Sequence, residues 1–158
     1  SFDAVLLMGP LYHLTQAEQR QQAVRQAFEV LKPGGVIFTA FITIYAPLRY
    51  DARFLPMELV ENPAMTEQIL STGVNDPSFG FTEAWFARPE DVTPFMESNG
   101  FQTRLLLGQE GIVPGMEDGV NPLSGPAWSY RADLNYRLGQ HPALRGAADH
   151  LLYIGSKP

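Results

Sequence analysis

The chain has 158 residues, 45% of them apolar and 18% charged, which is enough for one globular domain with a buried core. It has no cysteine, which excludes disulfide frameworks, thiol nucleophiles and thiolate metal sites, and three scattered histidines argue against a zinc centre, so no metal site is expected. A net charge of -6 is the wrong sign for gripping phosphate backbones, and the longest uncharged apolar run, Val36 to Leu48, falls short of the roughly 20 residues of a membrane span; neither nucleic acid nor membrane is expected as a partner.

Phe2 to Met8 is a continuous apolar run, the pattern of a strand buried on both faces. A chain that opens inside such a strand is expected to be a fragment. No basic leader with a following apolar segment is seen, and a cytoplasmic location is expected. Thr15-Gln16-Ala17-Glu18 has the form of a capping box, predicting a helix that starts there. Ala17, Val24, Ala27, Phe28 and Leu31 form its apolar stripe, with Gln19, Arg20, Gln22, Arg25 and Glu29 on the polar side. Lys32-Pro33-Gly34-Gly35 is the expected stop, with Lys32 at the negative end of the helix dipole. Val36 to Ile44 follows as a second strand. Strand, helix and strand in this order make a βαβ unit with parallel strands.

From Tyr45 to Thr82 the pattern loosens into an inserted cap with short helices around 56–60 and 64–70. Glu83 to Phe86 reads as a short strand, Pro89 to about Asn99 as a helix despite Pro94, and Phe101 to Leu107 as the next strand. A loop to Pro126, a helix over 127–138, a short one over 142–148 and a last strand, Leu151 to Gly155, complete a single domain, residues 1–158, with the cap at about 45–82.

The loop Gly9-Pro10-Leu11-Tyr12-His13-Leu14 leaves the carboxyl end of a buried strand, where open α/β sheets bind ligands. Gly9 permits close backbone approach, and Tyr12 and His13 bring an aromatic face and a titratable ring to the rim. The same pattern is met by a turn whose histidine merely bonds to backbone. Tyr45, Tyr50, Phe54, Phe79, Phe81, Trp85 and Phe86 give the cap an aromatic density that suits a lid over an organic molecule, with about half of them expected in the cap's own core.

The stretch Phe2 to Leu14, followed by Glu29-Val30-Leu31-Lys32-Pro33-Gly34-Gly35, resembles the second half of the class I S-adenosylmethionine-dependent methyltransferases. The likeness continues more weakly through Phe86 to Asp91, Asn99-Gly100-Phe101 and His150 to Ile154. It implies an α/β fold: the C-terminal half of a Rossmann-like sheet, mixed and of about four strands, the fourth to seventh of seven, with the cofactor half lying upstream. It also implies that Leu7, Met8 and Gly9 contact the methionine portion of S-adenosylmethionine in the parent protein, flanked by Leu11 and Tyr12. His13 is then the candidate base, and His13, Tyr45, Tyr50 and Phe79 the candidate contacts to a small-molecule methyl acceptor. Asp3, at the amino end of its strand, has a structural role. The chain lacks the family's glycine-rich loop and ribose-binding acid, so alone it is expected to be inactive. Its first strand, without a neighbour, is expected to drive self-association or homodimer formation. Two other readings stay open: a non-catalytic methyltransferase-like module for dimerisation or regulation of a partner, and another Rossmann-like enzyme such as a nicotinamide-dependent reductase.

Overall fold

In the computed structural model, which describes residues 1–79 and 82–158, β1 (Phe2–Leu7) and β2 (Leu31–Ile42) lie parallel and are joined by α1 (Ala17–Val30). After the cap come α5 (Pro89–Ser98), β5 (Gln102–Gly108), the short α6 (Glu117–Val120), α7 (Gly125–Gly139) and β6 (His150–Ser156). The sheet order is β1-β2-β6-β5, with β6 antiparallel to both its neighbours. A four-stranded mixed sheet with helices is therefore what the chain forms.

One face of this sheet is closed. Ile37, Phe41, Leu106, Leu151 and Tyr153 are buried against Val24 and Ala27 of α1 and Val92 and Met96 of α5, with Leu11 and Leu31 filling the layer. Pro94 lies inside α5 without breaking it; it is exposed, and the helix buries Val92 and Met96 on the opposite side. The other face is largely open. Register places Leu6, Phe38, Ile154 and Leu105 in one row across the sheet, and Leu6 is 71% exposed. The expectation that β1 is buried on both faces is thus corrected. It is an edge strand whose Val5 and Leu7 meet the core while Phe2, Leu6 and Met8 face solvent.

The boundaries of α1 also depart from the local signals. Gln16, not Thr15, precedes the helix and no side chain caps it, because the Thr15 hydroxyl donates instead to Glu83 Oε1 at 2.8 Å. At the other end β2 begins at Leu31, so Lys32 to Gly35 belong to an irregular strand start rather than to a helix stop. Lys32 pairs with Asp3 at 2.8 Å, which holds the Asp3 carboxyl below its ordinary range. The orphan carbonyls at the end of α1 are met from the far end of the chain. Lys157 Nζ donates to Phe28 O at 2.8 Å and Leu31 O at 2.9 Å.

Among the described residues the cap holds three α-helices, α2 (Tyr45–Phe54), α3 (Pro56–Glu61) and α4 (Pro63–Thr72), and a hairpin of β3 (Val74–Asn75) with β4 (Ala84–Trp85). The first of these helices lies outside the two short helices, 56–60 and 64–70, that the sequence pattern predicts for the cap. Ile44, Met65, Ile69, Ala84 and Phe86 form a second, smaller core. The cap is sewn to the sheet where β2 runs on past β1: Thr43 bridges Ala87, Ile44 N–H donates to Ala87 O at 3.0 Å and Ala87 N–H to Ile42 O at 2.8 Å. This puts the 84–87 segment beside the loop that leaves β1.

Candidate functional site

The carboxyl edge of the sheet gathers the loop after β1, the end of β2 and the cap. Leaving β1, the chain passes Met8 and Gly9 and makes a tight 3-10 turn, Pro10–His13. Pro10 suits the first position of such a turn because no N–H is required there. Leu11 anchors the turn and is fully buried in the main core. Tyr12 reaches back to Met8 O at 3.4 Å and its ring lies 4.8 Å from that of His13, which is exposed at the rim. Around Gly9, the Tyr12 hydroxyl alone among the described residues would come near an added Cβ, at 3.5 Å. Together with the free outer edge of β1, this leaves the Leu7 to Gly9 backbone approachable from one side.

Among the described residues, the other sequence-derived candidates are divided: Trp85 lies beside this loop, whereas Tyr45 and Tyr50 belong to a separate element, α2. Tyr45 starts α2 and its ring lies over Gly146. Tyr50 is exposed and stacks on Phe54 with ring centroids 4.9 Å apart. Both belong to the helix that Arg49 ties to Asp149, just before β6, at 2.9 Å. Phe86 is part of the cap core and Trp85 is half-buried. The side chain of Phe79, and Phe81 altogether, lie outside the described residues.

Two features were missed by sequence reasoning. Arg20, placed on the polar side of α1, is 8% exposed. Its Nη1 donates to Leu14 O at 2.6 Å and Thr15 O at 2.8 Å, and its guanidinium lies 3.9 Å from the Trp85 ring centroid. With Ala17, Gln21, Asp91 and Phe95 these side chains line a cleft of about 180 Å3 between α1 and α5. Burial lowers the Arg20 pKa, and the carbonyls and ring take the place of the lost water. A second pair stands where β6 starts. His150 Nδ1 lies 2.5 Å from Glu110 Oε1, and the His150 N–H donates to Glu110 Oε2 at 3.0 Å. The hydrogen bond to Glu110 raises the His150 pKa; burial pushes Glu110 up, but the two bonds from His150 outweigh it and hold that carboxyl below its ordinary range. Neither partner could be found from spacing, since they are 40 residues apart.

Comparison with known proteins fits this architecture. A family model described as a methyltransferase domain matches residues 1–39. No curated protein matches the sequence. A SAM-dependent methyltransferase from Methanosarcina mazei superposes with a TM-score of 0.57 at 16% identity, over 99% of this chain and 59% of its own length. A Listeria monocytogenes protein assigned to the S-adenosylmethionine-dependent methyltransferases gives 0.58 at 14% identity, over 99% and 62%. A mycolic acid cyclopropane synthase, solved with S-adenosylhomocysteine and CTAB, gives 0.52 at 17% identity, over 98% and 55%. The chain thus spans between 55% and 62% of the length of these structures. With the β1-β2-β6-β5 order and one sheet face packed on α1 and α5, these likenesses show that the chain has a class I S-adenosylmethionine-dependent methyltransferase-like fold.

Proposed function

We propose that the chain is the acceptor-side portion of a parent enzyme that transfers a methyl group from S-adenosylmethionine to a small organic molecule, and that it is inactive alone. The observation that carries this reading is the loop after β1. Met8 and Gly9 stand at the carboxyl edge of the sheet, beside an unpaired strand edge, and the turn that follows them touches the Ala84–Trp85 strand of the cap hairpin. Their approachable backbone fits one flank of a cofactor's methionine portion, with Leu7 and Tyr12 alongside. The remaining contacts would come from upstream of β1.

When bound, that cofactor supplies an electrophilic methyl sulfonium. The work left to this chain is to hold an acceptor close, aligned and dry, because proximity and exclusion of water lower the barrier of an in-line displacement. His13, at the rim beside Tyr12, would accept the proton of a hydroxyl or amine acceptor. Tyr45 and Tyr50 on α2 would bound the far side of an acceptor reaching across β2.

Calorimetric titration of S-adenosylhomocysteine into the protein extended upstream of β1, with the 158-residue chain as control, tests the reading. Binding by the extended protein alone is expected. If neither binds, the non-catalytic module becomes the better account, and the open face of the sheet becomes the place to look for its partner.

A further inference from the structure

Three groups at this edge are not absorbed by the reading above: the Glu110–His150 pair, the exposed apolar side chains of α2 and α3, and the buried Arg20 on Trp85. The last is carried furthest by its geometry. Arg20 is on α1, but all its polar contacts point away from the helix. Its Nη1 closes the carboxyl end of the Gly9–Thr15 loop through Leu14 O and Thr15 O, while its flat face rests on Trp85 of the cap hairpin. Next to it the Thr15 hydroxyl donates to Glu83, one residue before β4. Two separate ties therefore join the same loop to the same short strand.

Trp85 passes the connection on. Its ring meets Phe41 of β2 edge to face, with centroids 6.4 Å apart, and its indole nitrogen lies over Gly73, where α4 ends with φ at 72°. A side chain at Gly73 would strike both the indole and the Phe86 carbonyl, so the helix end and the hairpin are in tight contact. The hairpin pairs only two residues on each strand, too few to hold their own geometry. Its position depends on what it leans against, and Arg20 is the one buried cation among the described residues that leans on it.

We propose that Arg20 is a positioning residue: it locks the Gly9–Thr15 loop to the β3–β4 hairpin so that the two order and loosen as one unit. Given the methyltransferase reading, the loop is the donor side and the hairpin part of the acceptor side, and Arg20 makes readiness of one conditional on the other. Lysine cannot replace it: an ammonium can donate to two carbonyls, as Lys157 does, but it has no planar face to lay on an indole while doing so.

Amide hydrogen exchange on the 158-residue chain tests this without any ligand. Arg20→Lys should speed exchange across Leu11 to Thr15 and across Ala84 to Phe86 in step, by about tenfold, while Ile37 to Phe41 and Leu151 to Tyr153 keep their rates. Trp85→Phe, which leaves a ring under the guanidinium, should hold both segments within about threefold of the parent. Acceleration of one segment alone, or equal acceleration of the sheet, overturns the proposal. Thr15→Val cuts the second tie at a half-buried position and should loosen both segments to a lesser degree; if Arg20→Lys fails to fold, that variant decides by the same criterion. Because S-adenosylhomocysteine plays no part, coupled exchange with no cofactor binding by the extended protein sinks only the enzymatic reading, and uncoupled exchange with binding sinks only this one.

Discussion

The two faces of the sheet are made of similar residues and are treated differently. On the closed face Ile37, Phe41, Leu151 and Tyr153 are at most 1% exposed beneath α1 and α5. On the other, Leu6, Phe38, Leu105 and Ile154 form an equally apolar row, yet none is buried. Cover on that face begins one row further on, toward the end of the sheet where β2 and β5 finish: Ala40 and Leu107, which flank Leu152, are buried. Strands written for cover on two sides receive it on one. Alternating apolar and polar residues would mark a face meant for water, and these strands do not alternate.

The largest expected effect is a contrast between faces. Leu151→Ala should cost about 3 kcal/mol, since it removes a fully buried side chain from a filled layer. Ile154→Ala, three residues along and half-buried, should cost about 1 kcal/mol or less in the same chain. Urea unfolding of both variants measures this. The comparison sharpens in the extended protein, where the cost of Ile154→Ala should rise toward that of Leu151→Ala; an unchanged value would mean that the open row is never covered.

The open edge of β1 should also make the chain associate with itself, since unpaired strand edges beside apolar side chains recruit partners. Leu6→Lys places a charge at the outer end of that row, on the edge strand itself, and should reduce association by about tenfold or more on light scattering, with folding stability changed by less than about 0.5 kcal/mol. A parent chain that stays monomeric at high concentration breaks this expectation.

How much of this was legible in the sequence follows from how far each cause lies along the chain. The β1-α1-β2 unit could be read because its signals are local: an apolar run, a 3.6-residue stripe and a glycine-rich break. The ends of α1 could not. Thr15 had the right type and spacing for a cap, but its hydroxyl is taken by Glu83, 68 residues away, and Lys157 closes the other end from 126 residues beyond Leu31. The same applies to the site. The loop from Gly9 to His13 announced itself through Gly and Pro, whereas Arg20 looked like one more solvated cation on a polar stripe. What buried it was Trp85, which pairs with β3 in a hairpin that local pattern showed only in part.

A smaller effect concerns the pair that fastens the insertion between β5 and β6. That insertion is poorly covered, with residues 121–130 exposed throughout, so polar ties do much of the holding. The His150 pKa is raised, so its contribution is complete below the ordinary 6.5 and is lost as pH rises through the raised value. The Glu110 pKa is lowered, so its contribution is complete above the ordinary 4.5 and is lost as pH falls through the lowered value. The pair therefore works fully between those two pH values and weakens on either side. Both groups keep contact with water, which limits the gain to about 1 kcal/mol or less. Glu110→Gln should lower the unfolding free energy at about pH 5.5 and by less at about pH 8.5, as the rise in pH moves through the raised His150 value. A deficit of equal size at both pH values would show that the bond to the His150 backbone, rather than the charge, is what matters.

The last effect runs in the stabilising direction and tests the closed face from within. Thr39 is fully buried on β2, between Leu7 and Tyr153, and its hydroxyl has no hydrogen-bond partner among the described residues. A buried hydroxyl without a partner costs free energy that a methyl group of the same shape does not. Thr39→Val should raise stability by up to about 1 kcal/mol, read as a higher urea midpoint at unchanged slope. The substitution keeps the β-branched shape that suits a strand, so packing against Leu7 and Tyr153 is preserved. A loss of stability would reveal that the hydroxyl has a partner in solution, and the closed face would then be less dry than its packing indicates.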